Sequence, residues 1–503
     1  MSKVIFISID AAEPSLVQQW LSDGDLPAIQ SILDQGGSRQ IGYPDDLVIH
    51  PWSNFYTGGN PGLHGVYHYL LWNPSEMKSE RYNLGKIGVE PWWRVAAKNL
   101  DVIAIDMPMI HRSKNSKATE VIGWATHETF EPFFTNPPEL KSELEKHLGK
   151  SMQISERYGL HSEKELLSVR EEMFRMIEHT SEMTQYLITE KPWDLFLVAF
   201  HSIHLGGHKF WNLNGLREQP SERNRKLFTK TLKEIYQSVD AKIGSILEKV
   251  PPDTTIIIGS FHGMGASSSR VPILPDLISR IVSKEHGSAQ SKPALGVLSN
   301  LRNIIPLPLR HILKKNLPFG LQDRMTSYWR LGGVDWSQTP AFALLSDFDG
   351  YVRINLEGRE KLGIVSAGSE YNKWMNIVTE GIMSFADKDT GEPIVSRVIR
   401  RDTLDLTGPN TDNLPDLFIQ WSDTPCAGHR AVISSLYGEI GWHTPRKNPD
   451  GRSGNHLRKG ILISNKKITA PVESEIAVQD VSATLLAISD LPLPDHMTGK
   501  SFH

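Results

Sequence analysis

Five residues able to bind a metal or move a proton flank short apolar runs: Asp10 after Val4–Ile9, His204 and His208 after Leu195–Phe200, His262 after Thr254–Ile258, and His456 before Gly460–Ile463. In an open α/β sheet, ligands bind at the carboxyl ends of strands. One carboxylate and four imidazoles gathered at that edge would make a transition-metal site, since both groups are common donors to zinc and its neighbours. His204 and His208 are four residues apart, the spacing that sets two rings on one helical face, although Gly206-Gly207 between them disfavours a regular helix.

Each position also has an ordinary reading. Asp10 could instead cap a helix near Glu13. Neighbouring histidines are often core or surface residues, and strand alternation makes His201 a structural residue. His262-Gly263-Met264-Gly265 and Gly454-Asn455-His456 are weak signals singly; their force lies in combination and order. The segment Pro51-Trp52-Ser53-Asn54-Phe55-Tyr56-Thr57-Gly58 reads as a helix opening and a glycine stop. Free N–H groups at a helix start attract anions, so Pro51, Trp52, Ser53 and Asn54 are candidate substrate-binding residues; the alternative is a helix without chemistry.

Strand-length apolar runs alternate with helical periodicity, which predicts a mostly parallel sheet covered by helices on both faces. Helical stretches are expected around Leu16–Leu21, Ala28–Leu33, within residues 137–190, over Ser221–Val250 and over Val478–Leu486. Buried strands are expected at Val102–Ile105, Ala341–Leu345, Tyr351–Leu356 and Leu417–Trp421. Residues 271–337 interrupt the rhythm with Pro306-Leu307-Pro308 and the basic cluster Arg310, His311, Lys314 and Lys315, which reads as a solvated face or, less commonly, a contact for an anionic substrate. The predicted organisation is a core from 1–270 and 338–503 with an inserted cap at 271–337.

At 503 residues, 39% apolar and 22% charged, the composition is that of a globular protein. The net charge of −4 is interspersed along the chain, which argues against nucleic acid or a membrane as partner. A single cysteine, Cys426, excludes an internal disulfide. With a strand entered directly after Met1-Ser2-Lys3, the expected location is the cytoplasm. Oligomeric state is left open.

Taken in order, these motifs resemble the alkaline phosphatase superfamily, in its type I phosphodiesterase/nucleotide pyrophosphatase branch. The resemblance rests on Ser8-Ile9-Asp10, Thr57-Gly58-x-x-Pro61-x-x-His64-Gly65, His208-x-Phe210-Trp211, Ser260-x-His262-Gly263-Met264-Gly265 and Gly454-x-His456. It extends through Arg353–Glu360 and Leu414-Pro415-Asp416-Leu417 to Asp480-x-x-Ala483 and Leu493–Lys500. It implies an alkaline phosphatase-like α/β fold with two metal ions, usually zinc, and a Ser or Thr nucleophile at a helix start. Carried over by position, the first metal falls to His204, His208 and His456, with His204 where the family has Asp. The second keeps Asp10 and His262, but Phe261 stands in place of a carboxylate and Val48 in place of the nucleophile. His50 could fill the vacated second-site position, act as general base, or be structural.

The expected function is a metal-dependent hydrolase of a phosphate or sulfate ester, a phosphodiester first. Metal-activated water would replace the side-chain nucleophile. One zinc would be held tightly and a second more weakly, with manganese the alternative metal. Asp10, His262 and His50 are the catalytic candidates. The alternatives are a divergent non-hydrolytic member that binds a ligand or partner around a zinc site, and a metal-dependent transferase or lyase acting on an anionic metabolite.

Overall fold

The computed structural model describes residues 3–127, 130–154, 161–213, 219–286, 334–442, 452–471 and 474–502. The central sheet has eight strands in the order Gly37–Ile41, Gly460–Ser464, Thr255–Ser260, Val4–Ile9, Leu195–Phe200, Val102–Ile105, Thr119–Ile122 and Phe134–Asn136. From Thr255–Ser260 to Thr119–Ile122 all neighbours are parallel. Val4–Ile9 is buried along its whole length because helices cover both faces. Ile5, Ile7 and Ile9 point into one apolar cluster, with Trp20, Ile29, Met176, Ile235 and Val239. Val4 and Phe6 point into the other, with Trp52, Phe55, Trp92, Trp93 and Leu485. That period-two division explains why the strand reads as a continuous apolar run.

The strand Gly460–Ser464 runs antiparallel to Thr255–Ser260. Its beginning therefore lies at the carboxyl edge of the parallel strands, and residues just before it reach the same edge as residues following the others. That reversal is what brings His456 to the site.

The long helices form where expected. Glu163–Glu190 starts with a capping box between Ser162 and Glu165, and Glu222–Leu247 is capped by the Ser221 side chain. Among the described residues, no helix is long and apolar enough to cross a membrane.

A smaller lobe carries an antiparallel sheet in the order Ala341–Ala343, Gly350–Ile354, Leu417–Trp421 and Val395–Arg400. Beside it lies a three-stranded sheet of Ala386–Asp387, Ala431–Ser434 and Gly438–Gly441. Its own apolar cluster includes Leu277, Ile281 and Ile278 of the helix Leu274–His286 and Trp374, Met375 and Val378 of Ser369–Met383. Within residues 338–503, Gly460–Ser464 pairs in the central sheet and Ile476 bridges Ile41 at its edge, while the strands between 341 and 441 build the smaller lobe. Pro306-Leu307-Pro308 and the basic cluster Arg310, His311, Lys314 and Lys315 lie outside the described residues.

Candidate metal centre

The apolar strand Leu195–Phe200 ends at the carboxyl edge, and the chain turns at once into the helix Ser202–Phe210. The glycine pair does not break this helix; it lets the helix approach its neighbours. A Cβ at Gly206 would meet Ile235 Cδ1 at 2.8 Å, and one at Gly207 would meet Met264 Cγ at 2.5 Å. Packing outweighs the intrinsic cost of glycine, about 1 kcal/mol per residue in a helix interior. The strand Gly454–Leu457 closes in from the other side, pairing antiparallel with Gly263–Ala266 so that His456 lies opposite Met264. Ser453 N–H donates to the His208 carbonyl at 2.7 Å, tying strand and helix together.

His204, His208 and His456 converge. Their ligating nitrogens all lie within 4.8 Å of one another. His204 Nε2 is 2.9 Å from His208 Nε2 and 3.1 Å from His456 Nε2. His204 and His208 are buried and His456 is half-buried.

The outer nitrogens fix which protons the neutral rings carry. His208 Nδ1 faces the Gly454 carbonyl at 2.8 Å, and His204 Nδ1 faces Asp10 Oδ2 at 2.8 Å. Both partners are acceptors, so each Nδ1 donates and each Nε2 of a neutral ring presents a lone pair. Two lone pairs facing each other at 2.9 Å repel unless a cation lies between them. The donor set therefore fits a divalent metal bound by imidazole. Burial first, and then His262, His204, His208 and Arg452, hold the His456 pKa well below 6.5, which keeps that ring neutral and ready to ligate.

Asp10 is 3% exposed and lies behind this group. It does not cap the following helix; Glu13 does, accepting from Ser15 N–H. Asp10 Oδ2 receives His204 Nδ1 and also His201 Nδ1, the latter at 3.3 Å. His201 Nε2 faces the Asp106 carbonyl at 2.8 Å, so both of its nitrogens face acceptors. Burial works against a charge on His201, but its bond to Asp10 and the charge of Asp10 outweigh that and raise its pKa. Burial likewise opposes ionisation of Asp10, yet His204 and His201 hold its carboxyl well below the usual range.

His262, 4% exposed, adjoins the three ligands without joining their group. Its ring centroid is 4.3 Å from that of His456 and 6.0 Å from that of His204. Phe261 points the other way, into an aromatic cluster, with ring centroids 4.9 Å from both Trp52 and Phe55 and 6.0 Å from Phe6. Val48 packs against the same cluster. The position where the family pattern has a carboxylate is therefore apolar core, and the position where it has a hydroxyl is a half-buried valine at its edge.

His50 takes a local role. It sits in the left-handed region at φ 43° and caps the helix Pro51–Thr57, its Nδ1 accepting from Ser53 N–H at 3.3 Å. The neutral ring then carries its proton on Nε2, which is buried and has no hydrogen-bond partner among the described residues. Burial first, then His68, pull the His50 pKa down to about 3. The helix start it caps is the expected anion-binding segment, and its donors are partly engaged. Pro51 has no N–H, Ser53 N–H is taken, and Trp52, Ser53 and Asn54 are buried. Asn54 Oδ1 holds His64 Nε2 at 2.8 Å.

Sequence reasoning missed several neighbours. Arg452 is 3% exposed, near enough to His456 to lower its pKa, and its Nη1 is 3.9 Å from Asp347 Oδ1. Asp347 Oδ2 meets His68 Nε2 at 3.2 Å. His127 lies edge-on to His204, with ring centroids 4.6 Å apart. The available signal was a lone arginine four residues before His456 in a glycine- and serine-rich loop; Asp347, His68 and His127 carry none.

A doubly covered, mostly parallel sheet with three histidines able to hold a metal at its carboxyl edge is the alkaline phosphatase-like α/β architecture. The sequence profile described as Type I phosphodiesterase / nucleotide pyrophosphatase matches residues 4–304, and the chain belongs to that family. The solved phosphonoacetate hydrolase of Sinorhizobium meliloti 1021 in complex with phosphonoacetate matches with a TM-score of 0.53 at 12% identity, over 97% of this chain and 95% of that chain. The same hydrolase with phosphonoformate gives 0.52 at 12% identity, again over 97% and 95%. Human ectonucleotide pyrophosphatase / phosphodiesterase 5 gives 0.48 at 12% identity, over 99% and 97%. Identities this low speak to fold alone. No curated protein matches the sequence.

Proposed function

We propose that this chain is a metal-dependent hydrolase of phosphate or sulfate esters, a phosphodiesterase first, that activates water in place of a side-chain nucleophile. The observation that carries the reading is the pair of imidazole lone pairs of His204 and His208 facing each other beside His456. Family membership supports phosphoester hydrolysis. His204, His208 and His456 would hold a divalent cation, which would supply Lewis acidity and the means to activate water near neutral pH. Zinc suits three imidazoles with a position left open; manganese is the alternative.

The chain's residues do the rest. Asp10 and the Gly454 carbonyl orient His204 and His208. His456 is the least buried of the three, and Arg452 sets a positive charge beside it for the anion. Val48 offers no hydroxyl, so a covalent phospho-enzyme at that position is excluded. His50 is assigned to helix capping: as a base it would first have to lose the Nε2 proton or abandon its cap. His262 is left to orient water or to support a weak second metal.

The test is an activity screen of protein stripped with chelator and reloaded with zinc or manganese. Substrates are an aryl phosphomonoester, a bis-aryl phosphodiester and an aryl sulfate. At least one should be hydrolysed in a chelator-sensitive way, and His456→Ala should lose that activity. Indifference of every activity to chelation would reject the reading. The apolar filling around Phe261 and Val48 favours a second reading, a ligand-binding member that has lost hydrolysis; tight metal binding with no turnover of any ester would establish it.

A further inference from the structure

Asp10 is placed to act on the metal through a histidine. Its Oδ2 is 2.8 Å from His204 Nδ1, on the side of the ring away from the Nε2 that faces His208 and His456. The same oxygen takes His201 Nδ1, so two ring N–H groups converge on one carboxylate atom. His201 is itself held at its far nitrogen by the Asp106 carbonyl. Asp106 cannot move freely: its carboxylate accepts from Gly123 N–H at 2.9 Å, Trp124 N–H at 2.7 Å and Ala125 N–H at 2.7 Å. It also holds a left-handed backbone at φ 50°. A chain of hydrogen bonds thus runs from the loop after Thr119–Ile122, through the end of Val102–Ile105, to the histidine that ligates.

We propose that Asp10 is a positioning residue for His204, locked in place by His201, and not a ligand of the metal that His204, His208 and His456 hold. This rests on the reading of those three residues as the metal site. It departs from the role implied by the family pattern, in which the first-strand Asp ligates a second metal. The carboxylate keeps the His204 proton on Nδ1, leaving Nε2 free to donate its lone pair, and fixes the plane of the ring. Groups that hold a metal-bound histidine in this way typically change metal affinity by about 10–100-fold when removed.

The experiment is a double-mutant cycle on the full chain, read as zinc affinity by competition with a chromophoric chelator and independent of any hydrolysis. Asp10→Asn should weaken the tight zinc by about 10–100-fold, because the amide can present its NH2 to His204 Nδ1 and push the ring proton to Nε2. His204→Ala should weaken it further. Adding Asp10→Asn to His204→Ala should change nothing beyond about twofold, since two residues acting through one contact are not additive. A further tenfold loss in the double variant would show that Asp10 binds the metal itself and overturn the proposal. His201→Gln touches no ligand and should weaken zinc several-fold; an unchanged affinity there would also count against it. Should Asp10→Asn not fold, X-ray absorption of the zinc-loaded native chain decides the matter, with three imidazoles and no carboxylate expected and a carboxylate shell contradicting. Native protein that binds no zinc would instead remove the metal reading itself.

Discussion

Replacing Phe261 separates a second metal seat that has been built over from one that is merely vacant. The ring is 2% exposed and contacts Phe6, Trp52 and Phe55. Truncation of a buried Phe to Ala costs about 3–5 kcal/mol, and three aromatic neighbours place this site in the middle of that range, about 4 kcal/mol. Phe261→Asp restores the carboxylate of the family pattern but sets it among side chains that mostly cannot hydrogen-bond. It should be at least as destabilised, with a further penalty of about 1–3 kcal/mol for an unsatisfied polar group. The assay is urea unfolding of metal-free protein followed by tryptophan fluorescence, with Trp52 as a local reporter, plus zinc stoichiometry after dialysis. Phe261→Ala should lose about 4 kcal/mol, and Phe261→Asp should hold no more zinc than the native chain. If Phe261→Asp lost under about 1 kcal/mol and took up a second tight zinc, the claim that core packing has replaced the second seat would be wrong.

Three other outcomes follow from the structure. His50→Asn should keep native stability, because Asn both caps helices and tolerates the left-handed backbone, whereas His50→Ala should lose about 1 kcal/mol in thermal or urea melts; equal losses would contradict the cap. Burial raises the Asp349 pKa to about 7 despite Arg458. The carboxyl is protonated in both states below about 4, and between about 4 and about 7 only the unfolded chain ionises. That part of the stability therefore falls as pH rises through this window, by at most about 4 kcal/mol, and is flat above it. Asp349→Asn should flatten the change in urea midpoint between pH 4.5 and 7.5 by comparison with the native chain; an unchanged slope would refute it. In the smaller lobe Asp416 accepts from Arg359 at 2.7 and 2.6 Å, from Tyr371 at 3.0 Å and from Ile354 N–H at 2.7 Å. Asp416→Asn removes one of the two carboxylates that pair Arg359, Glu360 being the other at 2.9 Å, and should cost about 1–3 kcal/mol in a melt, with zinc affinity unchanged.

The sheet was legible where both faces of a strand are covered. Val4–Ile9, Leu195–Phe200, Val102–Ile105 and Leu417–Trp421 have the bounds read from their apolar runs. Thr255–Ser260 runs two residues beyond its β-branched stretch because Gly259 and Ser260 still pair with Leu462 and Ile461. What pairs with what was less visible. Nothing in Gly460-Ile461-Leu462-Ile463 announces an antiparallel strand, and nothing local says that residues 341–442 build sheets of their own. Gly206-Gly207 looked like a helix breaker because a sequence does not show Met264 and Ile235 waiting to fill the space. At the site, the three converging histidines were foreseen. The roles of His201 and Asp106 were not, since each depends on a partner about a hundred residues away. Nor was the cap that the His50 side chain makes on the helix start at Pro51.

The central claim is that one three-histidine centre activates water for ester hydrolysis. It is tested most directly by titrating metal-free protein with zinc while recording hydrolysis of a bis-aryl phosphodiester. The account predicts activity rising linearly and breaking at one zinc per chain, with no rise in His456→Ala. A break at two zincs, or a native chain that fills with zinc yet hydrolyses neither this diester nor the corresponding monoester or sulfate, would contradict it.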